Sequence, residues 1–368
     1  MNKARYIMVG GFLGAGKTTT LIRLAEKLRG LEKRVGLITN DQAANLVDTA
    51  LVKAGRFPVE EIAGGCFCCR FNSLKDAAQS LEERERPEFF LAEPVGSCTD
   101  LVATVSYPLR RMYGADFVIS PLSVLLDPQR AMRIFGLQEG RNFSEKVSYV
   151  YLKQIEEAEA LVINKIDILS LKQRTSLEAF LHRTYPRKSI FFMSSRTGEG
   201  FDDWADWLLQ TEMGDENCME LDYDIYADGE ALLGWLNATV AVNSQFSFDG
   251  NQLLSSMAAS LSHLFKVAGK EIAHLKMTLS PEDGSGEIAS INQVNSDLIP
   301  EMGMSLLDDM TSGQLIVNIR AEALPEEINK IFEQVLREDF DVTLKVEHAE
   351  FFKPGRPTPT HRYSGVNG

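Results

Sequence analysis

The chain lacks any run of eighteen or more apolar residues, so nothing in it reads as a membrane-spanning helix. Met1–Arg5 runs straight into a short apolar strand, without the long apolar stretch and small-residue cleavage site of a secretory signal. Positive charge is in deficit: 38 Lys and Arg face 52 Asp and Glu, a formal charge of −14, which makes the chain a poor general binder of nucleic acid or anionic membrane. Cysteine is scarce and odd in number, five in all, with three crowded into Cys66–Cys69, so no disulfide framework is expected and a reducing cytoplasm is the natural setting. The five histidines are scattered without ligand spacing. What remains is an ordinary globular composition, 44% hydrophobic and 24% charged over 368 residues, enough for two domains with a sizeable core.

Residues 1–212 alternate short apolar strands with helical patterns, which predicts a parallel sheet covered by helices. The expected strands are Arg5–Val9, Arg34–Thr39, Phe89–Ala92, Phe117–Leu126 (broken by Pro121), Ala160–Asn164 and Ser189–Met193. Leu21, Leu24, Ala25 and Leu28 repeat at helical spacing, with Gly30 as a stop. Thr211–Asp228 is acidic and turn-rich and reads as a linker, taken as 213–228. Residues 229–352 read as a smaller α+β domain, a candidate ferredoxin-like fold. Its expected elements are strands Trp235–Val242, His274–Leu279, Glu287–Val294, Gln314–Arg320 and Val342–Phe351, with helices Gln252–Phe265 and Pro325–Glu338. The proline-rich tail, 353–368, reads as irregular.

Gly11-Phe12-Leu13-Gly14-Ala15-Gly16-Lys17-Thr18 fits the phosphate-loop pattern between a strand and a helix, the context that pattern requires. Gly11, Gly14 and Gly16 let the backbone curl so that its N–H groups, Ala15 included, face phosphate oxygens. Lys17 would bridge the β- and γ-phosphates and Thr18 would supply a hydroxyl to Mg²⁺. Glu93, at the end of Phe89–Ala92, suits the same Mg²⁺, usually through a water, and Gly96 would let the backbone approach the γ-phosphate. The competing reading of Glu93 is a solvated strand-end charge.

Asn164-Lys165-Ile166-Asp167 follows an apolar strand and favours GTP. The Asp167 carboxylate can accept from guanine N1–H and the exocyclic amine, whereas adenine has no donor at N1. Asn164 would hold the loop, the Lys165 stem would pack on the ring, and Ser194 and Ser195 would complete the pocket. Asp41 is a weakly supported candidate to orient the attacking water.

Gly64-Gly65-Cys66-Phe67-Cys68-Cys69 supplies three soft ligands of the kind Zn²⁺, Cu(I) or Co²⁺ prefers, with a fourth group drawn from elsewhere. Buried apolar thiols, a redox pair and a structural zinc are the alternatives. Cys98 and Cys218 read as structural, although Cys98 follows the Glu93–Gly96 segment and could approach the cluster.

Taken together, Gly10–Thr18 with Thr19, the Gly64–Cys69 run, Glu93-x-x-Gly96 and Asn164–Asp167 resemble the CobW (cobalamin synthesis protein) family of P-loop GTPases, in family order over about the first 200 residues. Gln154–Asp167 and Ser194–Gly200 are also similar to that family's segments around the base. The resemblance implies a GTP-hydrolysing metallochaperone. Mg²⁺·GTP would form a thiolate site at Cys66, Cys68 and Cys69 for Zn²⁺ or Co²⁺, and hydrolysis would release the ion to a client metalloprotein; a homodimer stays open. The chain departs from the family pattern at Thr39-Asn40-Asp41-Gln42, at Glu93-Pro94-Val95-Gly96 and in lacking a histidine-rich stretch. A GTPase that remodels or gates a metalloenzyme, for example a corrinoid one, is the alternative, and an ATP-using kinase a third.

Overall fold

The computed structural model describes residues 3–40, 57–62, 65–214 and 218–363; Asp41, Gln42 and Gly64 lie outside them. The first half begins with β1 (Ala4–Gly11), α1 (Lys17–Gly30), β2 (Val35–Asn40), β3 (Val59–Ile62), α2 (Phe71–Glu85) and β4 (Phe89–Glu93). A π-helical turn at Val102–Ser106 leads into α3 (Tyr107–Tyr113), then β5 (Phe117–Ile119), β6 (Ser123–Leu126), α4 (Pro128–Ile134) and α5 (Glu145–Glu157). After β7 (Ala160–Ile163) comes a 3₁₀ turn at Ile166–Ile168, followed by α6 (Leu171–Thr184), β8 (Ser189–Phe192) and α7 (Phe201–Gln210).

These strands form one parallel sheet in the order β3-β2-β4-β1-β6-β7-β8. Helices cover both faces, so the central strands are apolar on both sides, as in the fully buried Ala160–Ile163. Because the strands run one way, the loops after β1, β4 and β7 emerge along one edge, and the strand order reverses around β1. The break expected at Pro121 within Phe117–Leu126 is present, and the segment is two strands. Proline offers no N–H to a ladder, and around Pro121 the chain divides: β5 pairs with Ala4–Tyr6 and β6 with Val9–Gly11, successive stretches of β1.

The stretch read as an irregular linker holds a helix, α8 (Tyr223–Ala231). Asp222 caps it, accepting from the Asp224 and Ile225 N–H groups at 2.9 and 3.1 Å. Gly229 packs against the Lys146 carbonyl of α5 so closely that a Cβ would clash. Only Tyr226, Gly229 and Glu230 of α8 are buried, too short an apolar pattern to show in sequence.

The second half adds β9 (Leu233–Phe248), α9 (Gly250–Val267), β10 (Glu271–Pro281), β11 (Ala289–Gln293), β12 (Glu301–Met304), β13 (Met310–Glu322), α10 (Pro325–Leu336) and β14 (Thr343–Phe352). Its antiparallel sheet has the order β12-β11-β10-β13-β9-β14. Leaving aside β11 and β12, that is a β-α-β-β-α-β chain with β9 and β13 inside and β10 and β14 outside, the arrangement expected of a ferredoxin-like fold. Helix α10 lays Ile328, Ile331, Phe332 and Val335 on the sheet, with Pro325 in its first turn.

The two halves meet at the loop after β1. Arg130 of α4 is buried and donates to the carbonyls of Leu13 (2.7 Å), Ala273 (3.1 Å) and Val294. Its guanidinium also lies 5.1 and 5.0 Å from the Phe12 and Phe143 rings. Arg130→Ala leaves buried carbonyls without a donor and is expected to destabilise the protein by about 3–5 kcal/mol in denaturant unfolding. A loss below about 1 kcal/mol would show that water replaces the guanidinium.

Candidate functional site

The loop between β1 and α1 holds Gly11, Gly14 and Gly16 at positive φ (133°, 81° and 93°), the left-handed region that glycine alone enters without cost. Side chains there would also collide: a Cβ on Gly14 would lie 2.5 Å from Val294 Cγ1, and one on Gly16 would overlap Asn164 Nδ2. Lys17 begins the helix and its Nζ donates to the Gly11 carbonyl at 2.9 Å. Thr18 Oγ1 donates to Glu93 Oε1 at 3.0 Å, so the two residues expected at Mg²⁺ are brought together across α1 and β4. Both are buried, which sets aside the reading of Glu93 as a solvated charge. Thr19 is exposed on the helix. Gly96 packs on the loop itself, where a Cβ would lie 2.7 Å from Leu13 Cδ2.

The segment after β7 closes onto the same loop. Asn164 Nδ2 donates to the Ala15 carbonyl at 2.9 Å, and Asn164 Oδ1 accepts from the Ser195 N–H at 2.9 Å. Lys165, itself at φ 56°, reaches the Gly14 carbonyl at 2.7 Å and Asp127 at 3.0 Å. Burial pushes the Asp127 carboxyl up, but Lys165 and Arg130 outweigh it and hold the group below the usual carboxylate range. Asp167 stands exposed in the following turn. Ser194 and Ser195 are buried, the latter bonded to Thr20 at 2.6 Å.

One contributor to this site was absent from the sequence reading. His274 of β10, in the second half, faces Lys165, Lys17 and Arg130, and burial together with those cations and Lys276 keeps its imidazole neutral, well below its ordinary range. Its alternation within an ordinary strand carries no signal of a neighbour so far away in the chain.

The thiols follow β3. Asn40, at the end of β2, donates to the carbonyls of Ile62 (2.9 Å) and Gly65 (2.7 Å) and so fixes the approach to Cys66. A tight turn then closes with the Cys69 and Arg70 N–H groups on the Cys66 carbonyl, at 3.1 and 2.9 Å. The sulfurs lie 2.8 Å (Cys66–Cys68), 3.1 Å (Cys66–Cys69) and 3.7 Å (Cys68–Cys69) apart. These separations are too long for a disulfide, whose bond is about 2.05 Å. Hydrogen bonding to Cys68 first and then Cys69, with Cys98 adding, lowers the Cys66 thiol well below its ordinary range. Cys68, Cys69 and Cys98 are pushed up, each first by its bond to Cys66. Three convergent soft donors fit a thiophilic ion.

The tail that the sequence reading left irregular is irregular among its described residues, yet it crosses this cluster. Thr358 N–H donates to Cys69 Sγ at 3.2 Å, Thr360 N–H to the Cys68 carbonyl at 2.9 Å, and Thr360 Oγ1 to the Cys69 carbonyl at 3.2 Å. Arg362 pairs with Asp100 at 2.7 Å, and His361 sits edge-on to Phe71 with centroids 5.0 Å apart.

The family model for the CobW/HypB/UreG nucleotide-binding domain matches residues 5–192. The chain belongs to that family, whose members are P-loop GTPases. Among curated proteins it is 25% identical over 183 residues to a zinc chaperone, CobW, of a Sinorhizobium species, covering 44% of this chain and 51% of the relative. To the zinc chaperone YjiA of Escherichia coli it is 34% identical over 82 residues, covering 22% and 25%. The chain therefore spans about half, or less, of the length of these relatives. The solved structure of Zn(II)-bound E. coli YjiA GTPase aligns with 91% of this chain and 99% of that one, at 14% identity and TM-score 0.34. No described helix is long and apolar enough to cross a membrane.

Two carboxyls, one on α5 and one on α8, are buried. Burial raises Glu157 of α5 to about 8, with Asp100 adding to it, and raises Glu230 of α8 to about 8, with the Cys66 charge adding to it. The native protein thus keeps two protons that the unfolded chain, with carboxyls near 4.5, releases. Stability is expected to fall as pH rises from about 4.5 to about 8, by about 1.4 kcal/mol per pH unit for each group. Glu230→Gln should remove roughly half of that slope in urea unfolding at several pH values; an unchanged slope would show that Glu230 does not carry the proton.

Proposed function

We infer that the protein is a GTP-binding and GTP-hydrolysing metallochaperone that takes up Zn²⁺ or Co²⁺ at Cys66, Cys68 and Cys69 and passes the ion to a client metalloprotein in the cytoplasm. The observation that carries this reading is the placement of three convergent thiols beside the loop edge that joins Lys17, Thr18, Glu93 and Asn164. Membership of a family with zinc chaperones among its relatives supports it.

In this reading the N–H groups of Gly14, Ala15, Gly16, Lys17, Thr18 and Thr19 wrap the phosphates, with Gly11 giving the turn its shape. Lys17, which now donates to the Gly11 carbonyl, would hold a phosphate oxygen. Thr18 and Glu93, which now bond each other, would hold Mg²⁺, whose charge would offset that of the phosphates. Gly96 follows the γ-phosphate. Asp167 reads guanine, Lys165 covers its ring, and Asn164, Ser194 and Ser195 hold the pocket's wall. The ion is cargo, bound tightly while γ-phosphate contacts hold the segments that carry its ligands and released on hydrolysis.

Equilibrium titration with Zn²⁺, with and without Mg²⁺·GTP, tests the coupling; metal affinity is expected to rise in the GTP state, and equal affinities would overturn it. Lys17→Ala should abolish that difference while leaving the fold intact. Asp167→Ala should weaken GTP by on the order of 10- to 100-fold, the loss of charge-assisted hydrogen bonds, with little effect on ATP. Equal weakening of both nucleotides would remove the guanine assignment.

A further inference from the structure

A tetrahedral zinc site takes four ligands at about 2.3 Å from sulfur, and three sulfurs on one tight turn leave one position open. Among the described cysteines, Cys98 reaches this trio. It is 2% exposed, lies in the same core as Cys66, Cys68 and Phe71, and is near enough to Cys66 for the two thiols to shift each other's titration. Cys218, by contrast, stands beside Asp100 and Arg362. Cys98 is not within 4.8 Å of every sulfur of the trio, so a four-sulfur cage needs a shift of the segment that carries it.

That segment is the one after β4. It starts at Glu93, which holds Thr18, and passes Gly96, pressed on Leu13 of the phosphate loop. It ends in a turn closed by the Cys98 N–H on the Val95 carbonyl at 2.9 Å. Gln154 of α5 grips this turn from behind, donating to the Gly96 carbonyl at 3.0 Å and the Cys98 carbonyl at 2.8 Å. One short stretch of chain therefore touches the Mg²⁺ and phosphate residues at one end and the thiols at the other. We propose that Cys98 is the fourth sulfur ligand of the metal site, carried to the ion when nucleoside triphosphate, bound at the loop that Glu93 and Gly96 already touch, shifts the Glu93–Cys98 segment. The proposal rests on the metallochaperone reading and supplies its missing connection: triphosphate raises metal affinity by adding a ligand. The thiol proton leaves to solvent as the Cys98–metal bond forms.

The test is sulfur counting by zinc K-edge X-ray absorption on the full chain loaded with one equivalent of Zn²⁺. It is paired with thiolate-to-metal charge transfer of the Co²⁺ form, each with Mg²⁺·GDP and with a non-hydrolysable GTP analogue. The wild-type protein is expected to show three sulfurs with GDP and four with the analogue. Cys98→Ser should show three in both and bind Zn²⁺ roughly tenfold or more weakly than wild type in the analogue state only. Cys218→Ser should behave as wild type. Three sulfurs plus oxygen or nitrogen in the wild-type analogue state, as Glu230 would give, overturns the proposal while leaving the chaperone reading standing. An absence of metal binding in either state overturns both. Should Cys98→Ser fail to fold by circular dichroism, the wild-type sulfur count decides alone.

Discussion

The loop after β1 carries backbone carbonyls that must find donors inside the protein. This obligation organises the molecule, because a buried carbonyl left without a donor costs about 1–3 kcal/mol. Four donors from three places in the chain meet it: Lys17 at Gly11, Arg130 at Leu13, Lys165 at Gly14 and Asn164 at Ala15. Arg130 extends the arrangement to Ala273 and Val294, so the rear of the loop is also the seat of the second half. A loop held in this way is already shaped for phosphate before any ligand arrives.

From that loop the fold spreads outward by contact. Gly16 fits under Asn164 and Gly14 under Val294, and neither contact admits a side chain. Gly96 presses on Leu13 and leads, through a turn gripped by Gln154, to Cys98 and so to Cys66. Buried Glu230 lies near Cys66, while buried Glu157 holds Thr99 and the Val102 N–H and Asp100 pairs with Arg362 on the chain just after Cys98. Buried titratable groups held away from their ordinary range concentrate at functional sites more than in structural cores.

Much of this was legible in the sequence. The phosphate loop, Glu93, Asn164–Asp167 and the three clustered cysteines are short motifs whose chemistry depends on local spacing, and the structure gathers most of them along one sheet edge. The pattern of the second half foretold a ferredoxin-like order because strands such as Ala289–Gln293 alternate and both helices carry apolar stripes. The mostly exposed Glu301–Met304 shows no such pattern and was not foreseen. The break at Pro121 was legible, but not that its two parts pair with successive stretches of β1. The helix at Tyr223–Ala231 was not legible, since it depends on packing against α5.

By itself the sequence determined the parallel sheet, the phosphate loop and the identity of the soft donors, because periodicity and glycine geometry act over a few residues. Only the tertiary structure decided what stands behind and above those motifs. It placed His274 and Val294 at the nucleotide loop, laid Thr358–Tyr363 across the cysteines, and brought Cys98 to Cys66. These contacts join residues far apart in the chain, and no local pattern records them. They follow from how two cores pack and from where buried polar groups find their partners.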